Sequence, residues 1–156
     1  MTSQVQLTLG PEYAELHNAQ TGSLIGRINA GYQFMTDQHF KRNPLDAGAL
    51  ERAIEWTEDR IQMARLAIPA GANLITQDSD VRWLAQIAGL QGAQPLLYRD
   101  AVEQVFSRLV LQAFGQAAQQ QNLPDNPRVF ATVVLLREML HHLRFEHIQI
   151  NQATDS

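Results

Sequence analysis

Residues 126–150 read NPRVFATVVLLREMLHHLRFEHIQI, and the order of residue types in this stretch decides the fold. Asn126 followed by Pro127 supplies a side-chain cap and then a proline at the first helical position, where its missing N–H costs nothing. From Val129 to Leu143 the residues are apolar on almost every side of a helix: Val129, Phe130, Val133, Val134, Leu135, Leu136, Met139, Leu140 and Leu143. Such a helix belongs in the middle of a domain. Its polar residues, Arg137, Glu138, His141, His142 and Arg144, crowd the final turns. Ionisable groups in that position are paired, exposed at the helix end, or used. Past Leu143, the run His147-Ile148-Gln149-Ile150 alternates as a strand does, which predicts a short strand over 146–150.

Upstream lies a second long helix over 101–121, through Val102, Val105, Phe106, Leu109, Val110, Ala113 and Phe114. Asp100 and Glu103 have the spacing of a capping box at its start, and Gln119-Gln120-Gln121 trails off before Leu123-Pro124. The short connection makes the helices 101–121 and 127–144 antiparallel neighbours. Further back, Ser79 is a cap for a brief helix that Gly89 ends, and Ile75 to Asp80 reads as a linker with room for a short extended piece. Asn43-Pro44 repeats the Asn-cap, Pro-first device. The stripe Leu50, Ile54, Thr57, Ile61 and Ala64 then runs along a helix that Pro69 stops.

The first residues have a different period. Val5, Leu7 and Leu9 alternate with Gln6 and Thr8; Gly10-Pro11 turns the chain; Ala14 and Leu16 face Leu24 and Ile28 across the loop 19–22. Residues 4–28 therefore form a three-stranded antiparallel meander that helices must cover to be stable. The expected architecture is a single α+β domain. Its meander, with the strand 146–150 able to join it, packs on about four helices in the helical part 43–144, and 152–156 form a frayed tail.

With 156 residues, the chain can bury a core without staples. It has no cysteine, which removes disulfides, thiolate metal sites and cysteine nucleophiles from consideration. No apolar run approaches the roughly 20 residues that cross a bilayer, and the start Met1-Thr2-Ser3-Gln4 lacks a signal-peptide layout, so a cytoplasmic location without membrane contact is expected. A net charge of −4, with Lys41 the sole lysine, argues against nucleic acid. The one place where base and aromatic meet is His39-Phe40-Lys41-Arg42, and there Phe40 more simply anchors the chain crossing.

Among candidate sites, Glu138, His141 and His142 share one side of a helix at i, i+3 and i+4, with Arg137 beside them as a ligand-binding group. Glu-x-x-His is half of the pattern of a bundle di-metal site, and the second copy is missing; Glu138 and His142 with His147, or with His39, would instead make a single-metal site. A wet, dipole-matched strip at the helix end is the plainer reading. Glu51, Glu55 and Glu58 recur on one helix face at a spacing where like charges repel, which reads as a solvated face or a docking surface for a basic partner. Trp56 and Met63 either widen the core stripe or form an apolar patch for a second subunit. No P-loop, nucleophile elbow, zinc-protease or dinucleotide motif occurs. The sequence thus predicts, first, a non-catalytic interaction or accessory protein, a homodimer with a possible protein partner and no cofactor. Second comes a small-ligand- or metal-binding protein using the Glu/His cluster.

Overall fold

The computed structural model describes residues 2–41, 45–115 and 123–152. Among the described residues, six strands and five helices follow one another as β1 (Gln4–Leu9), β2 (Ala14–Asn18), β3 (Leu24–Ile28), α1 (Tyr32–Gln38), α2 (Ala47–Met63), β4 (Asn73–Thr76), α3 (Ser79–Ile87), β5 (Leu96–Tyr98), α4 (Arg99–Ala113), α5 (Pro127–His142) and β6 (His147–Ile150). The fold class is α+β, as expected. The strand order, β3-β2-β1-β4-β6-β5, is mixed rather than a simple meander. β1, β2 and β3 pair antiparallel, β4 lies parallel to β1, β6 parallel to β4, and β5 antiparallel to β6. The C-terminal strand does return to the sheet, but it pairs with β4 and not with the meander.

The segment read as a linker is the middle of the sheet. Leu74, Ile75 and Thr76 of β4 are all buried, so no polar–apolar alternation betrays the strand. Val5, Leu74 and Ile148 are in register across the three parallel strands, as are Leu7, Thr76 and Ile150. Thr76 is the polar member of that second row; its hydroxyl donates to the Leu7 carbonyl at 2.8 Å, so this buried hydroxyl is paired.

α5 is the core helix that its composition demands. Eleven of its side chains, from Val129 through Leu140, are buried, including Thr132 and Glu138. All four other helices pack on it. Asn126 caps it by accepting from the Arg128 amide at 2.9 Å, with Pro127 in the first turn. It ends when Phe145 donates back to the Leu140 carbonyl at 3.0 Å, which requires Arg144 to adopt φ +62°. α3 ends in the same way, Leu90 donating to the Ala85 carbonyl, with Gly89 at φ +88° in that place. The glycine is free to adopt this shape, whereas the arginine is strained there.

Several local expectations change. α1 and β5 were not anticipated: α1 has only seven residues, and β5 only three. Asp78 and not Ser79 caps α3, accepting from the Asp80 and Val81 amides. The capping box at Asp100 and Glu103 does not form, because α4 begins at Arg99 and Glu103 is drawn away to Arg137. Leu24 is exposed, since a register shift at Leu16/His17 sets it opposite His17 and turns it from the core face that Ile28 keeps. α4 ends at Ala113, short of 121. Asp46 caps α2 by accepting from the Ala49 amide. Asn43-Pro44, Gln119-Gln120-Gln121 and most of the proposed tail lie outside the described residues. Among the described residues, no helix is long and apolar enough to cross a membrane.

Truncating Leu136 to alanine at the centre of α5 is expected to lower unfolding free energy by about 2–5 kcal/mol in urea titrations. Arg144→Gly, by relieving the left-handed backbone, is expected to raise it by about 1 kcal/mol in the same measurement.

Candidate functional site

β1, β4 and β6 run in the same direction, so they share a starting end and a finishing end, and α5 spans the distance between the two. Its last turn leads through 143–146 into the start of β6, which places Glu138 and His142 at the starting end. Its first turn carries Arg128 at the finishing end, beside Asp80 at the head of α3. Both ends carry charge.

At the starting end, Glu138 is buried, with 2% of its surface exposed. Its Oε2 accepts from Arg137 Nη1 at 2.8 Å. Arg137 lies over the Phe106 ring and holds Glu103 through both Nε and Nη2, at 2.8 and 3.3 Å. The other Glu138 oxygen, Oε1, is 3.5 Å from His142 Nε2, and that nitrogen is 3.8 Å from Glu58 Oε1. Glu58 reaches in from α2. Burial pushes the Glu138 carboxyl up to about 7; a hydrogen bond with Glu58 and repulsion from it add to the rise, while Arg137 and His142 oppose it. The buried carboxyl therefore binds its proton more tightly than an exposed one does. Glu58, Glu138 and His142 each offer a ligand atom, and these atoms all lie within 4.8 Å of one another, so the same place could take a cation instead.

The residues anticipated from the sequence are only partly brought together. Glu138 and His142 meet, with Arg137 bound to the first. His141 instead stacks edge-on against His142 and faces a shallow pocket with Arg99, Asp100, Glu103 and Arg137. His147 is not part of the group: it follows the turn into β6 and packs against Tyr98. His39 lies between Phe34 and Phe40, its pKa lowered by burial and by Arg52. Of the acidic row, Glu51 and Glu55 face water, while Glu58 turns half-buried toward α5. Trp56 stacks on Phe34 at 4.6 Å under Arg60, and Met63 is 73% exposed. Glu58 as a partner of Glu138 was not anticipated, because residues 80 positions apart leave no local pattern.

The finishing end was missed altogether. β1 leaves toward β2 while β4 leaves toward α3, so the crevice between them is where open sheets with parallel strands place ligands. Asp78 occupies it. Its Oδ1 caps α3, and its Oδ2 accepts from the Leu9 amide at 3.4 Å. Burial raises its pKa, the Val81, Asp80 and Leu9 amides pull the other way, and the Asp80 charge adds to the rise. Asp80 Oδ2 holds Arg128 Nε at 2.7 Å, and the guanidinium lies 4.0 Å over the Tyr32 ring. The Tyr32 and Gln33 amides donate to the Gly10 and Pro11 carbonyls, which clamps α1 onto the β1–β2 turn. A Cβ at Gly31 would collide with the Pro11 carbonyl, so only glycine permits that approach. Asp78 was legible in the sequence only as a cap; recognising β4 would have exposed its place.

No protein-family model and no curated protein sequence matches the chain at a significant level. Solved structures do. The Aquifex aeolicus Ppx/GppA phosphatase in its type II variant superposes with a TM-score of 0.70 at 11% identity, over 97% of this chain and 53% of that one. An exopolyphosphatase-like protein gives 0.65 at 16% identity, over 97% and 55%. The exopolyphosphatase of Cytophaga hutchinsonii ATCC 33406 gives 0.60 at 13%, over 97% and 53%. The chain therefore spans about half the length of the structures it matches, and what it shares with them is the fold. That fold is a phosphatase-type one, which overturns the expectation of a non-catalytic interaction or accessory protein. The expectation rested on missing local motifs, and a site assembled from several strand ends leaves none.

A carboxyl raised from 4.5 to about 7 binds its proton more tightly in the folded state. The resulting stabilisation is fully present below 4.5 and is lost as pH rises through about 7. In chelator-treated buffer, the melting temperature between pH 5 and pH 8 is expected to fall several degrees more, about 3–8 °C, for the native chain than for Glu138→Gln. The variant mimics the protonated acid, and the opposing contribution of His39 cancels in the difference.

Proposed function

We propose that this chain is a phosphatase-type unit that binds phosphate esters or anhydrides as their magnesium complexes and hydrolyses them at the edge where β1, β4 and β6 end. The observation that carries the reading is the match of nearly the whole chain, 97%, to the Ppx/GppA phosphatase fold at a TM-score of 0.70. The chemistry of the edge specifies the form of the substrate. Backbone amides are the usual phosphate cradle, but here the Asp80 and Val81 amides already serve Asp78, the Gly10 amide serves Tyr13, and Pro11 has none. A charge accessible to a phosphoryl group is the Arg128 guanidinium, with 47% of its side chain exposed. Magnesium takes one or two carboxylates together with substrate phosphates, and this edge supplies Asp80 and, in the β1–β2 turn, Glu12. Asp78, its proton affinity raised by burial, is the group to accept a proton from an attacking water.

The neighbours are nearly twice as long, so a facing unit completing the crevice belongs to this reading, and binding is tested before turnover. Magnesium tripolyphosphate is expected to raise the melting temperature of the native chain, with the shift lost in Arg128→Gln. Phosphate release from polyphosphate or p-nitrophenyl phosphate is expected to fall at least about 10-fold in Asp78→Asn, a change that keeps a competent helix cap and therefore the fold. A native chain that shows neither a thermal shift nor phosphate release overturns the proposal.

A further inference from the structure

The geometry points to a zinc-class divalent cation site formed by Glu58 of α2 with Glu138 and His142 of α5, at the end of the sheet opposite the strand-end crevice. The inference stands apart from the phosphatase reading, since no residue is common to the two places.

Donor spacing carries the argument. His142 Nε2 lies 3.5 Å from Glu138 Oε1 and 3.8 Å from Glu58 Oε1. A charge-assisted N–H···O bond closes to about 2.7–2.9 Å, so neither separation is a good hydrogen bond. Two ligands of one tetrahedral zinc, each bound at about 2.0–2.2 Å, stand about 3.4 Å apart. The observed separations are close to that spacing. Two carboxylate oxygens and an imidazole nitrogen also suit zinc better than magnesium or calcium, which favour oxygen alone.

The surroundings supply the support that metal ligands need. Arg137 binds Glu138 through Oε2 and leaves Oε1 directed at His142 and Glu58, while Glu103 fixes Arg137 from the far side. An outer partner that orients a ligating carboxylate in this way is the usual complement of a metal site. Charge agrees as well. With both glutamates of the site ionised, the cluster sets three carboxylates (Glu58, Glu103, Glu138) against one guanidinium, an excess that a divalent ion neutralises as it displaces the Glu138 proton. Glu138 is buried, whereas Glu58 and His142 keep 40% and 26% of their side chains exposed, so an ion can enter from solvent. Three protein ligands leave one position for water. A bound ion would pin α2 to α5.

The test is native mass spectrometry and thermal unfolding of the full chain, first stripped with chelator and then given zinc, with magnesium as control. One zinc per chain is expected, with a melting-temperature rise of about 5–10 °C at saturation and none with magnesium. Cobalt in place of zinc should give the visible absorption bands of a tetrahedral ion. Glu58→Gln and His142→Gln alter half-exposed side chains that the fold tolerates, and each is expected to abolish the mass, the shift and the bands. No zinc adduct on the native chain, equal stabilisation by magnesium, or an adduct that survives both substitutions overturns the inference. Because the readouts are binding and stability, its failure would leave the phosphate-binding test untouched.

Discussion

Everything in this molecule depends on the burial of α5. A helix apolar on nearly every side is stable in water only when other elements cover it, and here α1, α2, α3 and α4 all do so. That demand brings residues distant in sequence together: Glu58 to Glu138, Glu103 to Arg137, Asp80 to Arg128, Phe40 to Phe130. Charged groups survive on such a helix only near its two ends. There they must find partners or water, and the two candidate sites arise at those places.

The two ends solve the problem differently. At the first turn, Arg128 stays near water, with Asp80 and the Tyr32 ring as partners; an exposed pair of this kind adds little stability and leaves the guanidinium accessible. At the last turns, Glu138 is almost wholly removed from water. Arg137 offsets part of the cost, and the remainder appears as the carboxyl's hold on its proton up to about 7. A buried carboxylate retained beside another carboxylate, where an apolar residue would pack at least as well, is a conformational expense consistent with use.

The sheet explains why a phosphatase-type fold need not show a phosphatase motif. Its crevice is set by chain direction: β1 departs to one side and β4 to the other, whatever residues line the gap. In this chain, the Asp80, Val81 and Gly10 amides there are engaged within the protein. Fold and site chemistry are separable, and the lining of this crevice carries the acidic groups Asp78 and Asp80 beside Arg128.

Local pattern alone determined the meander over Gln4–Ile28, the existence of strand β6, the Asn126–Pro127 start of α5 and its central place, because alternation, capping and all-round apolarity are properties of neighbouring residues. The partnership of Glu138 with His142 was likewise legible, being one helical turn in length. Only the tertiary structure decided that Asn73–Thr76 is the middle strand, since a strand buried on both faces lacks a period to read. It alone set Glu58 beside Glu138, turned His147 toward Tyr98 and put Asp78 at the switch between β1 and β4. Those outcomes depend on which elements pack around α5 and in which order the strands pair. Long-range packing settles both, and it leaves no trace in the spacing of residues along the chain.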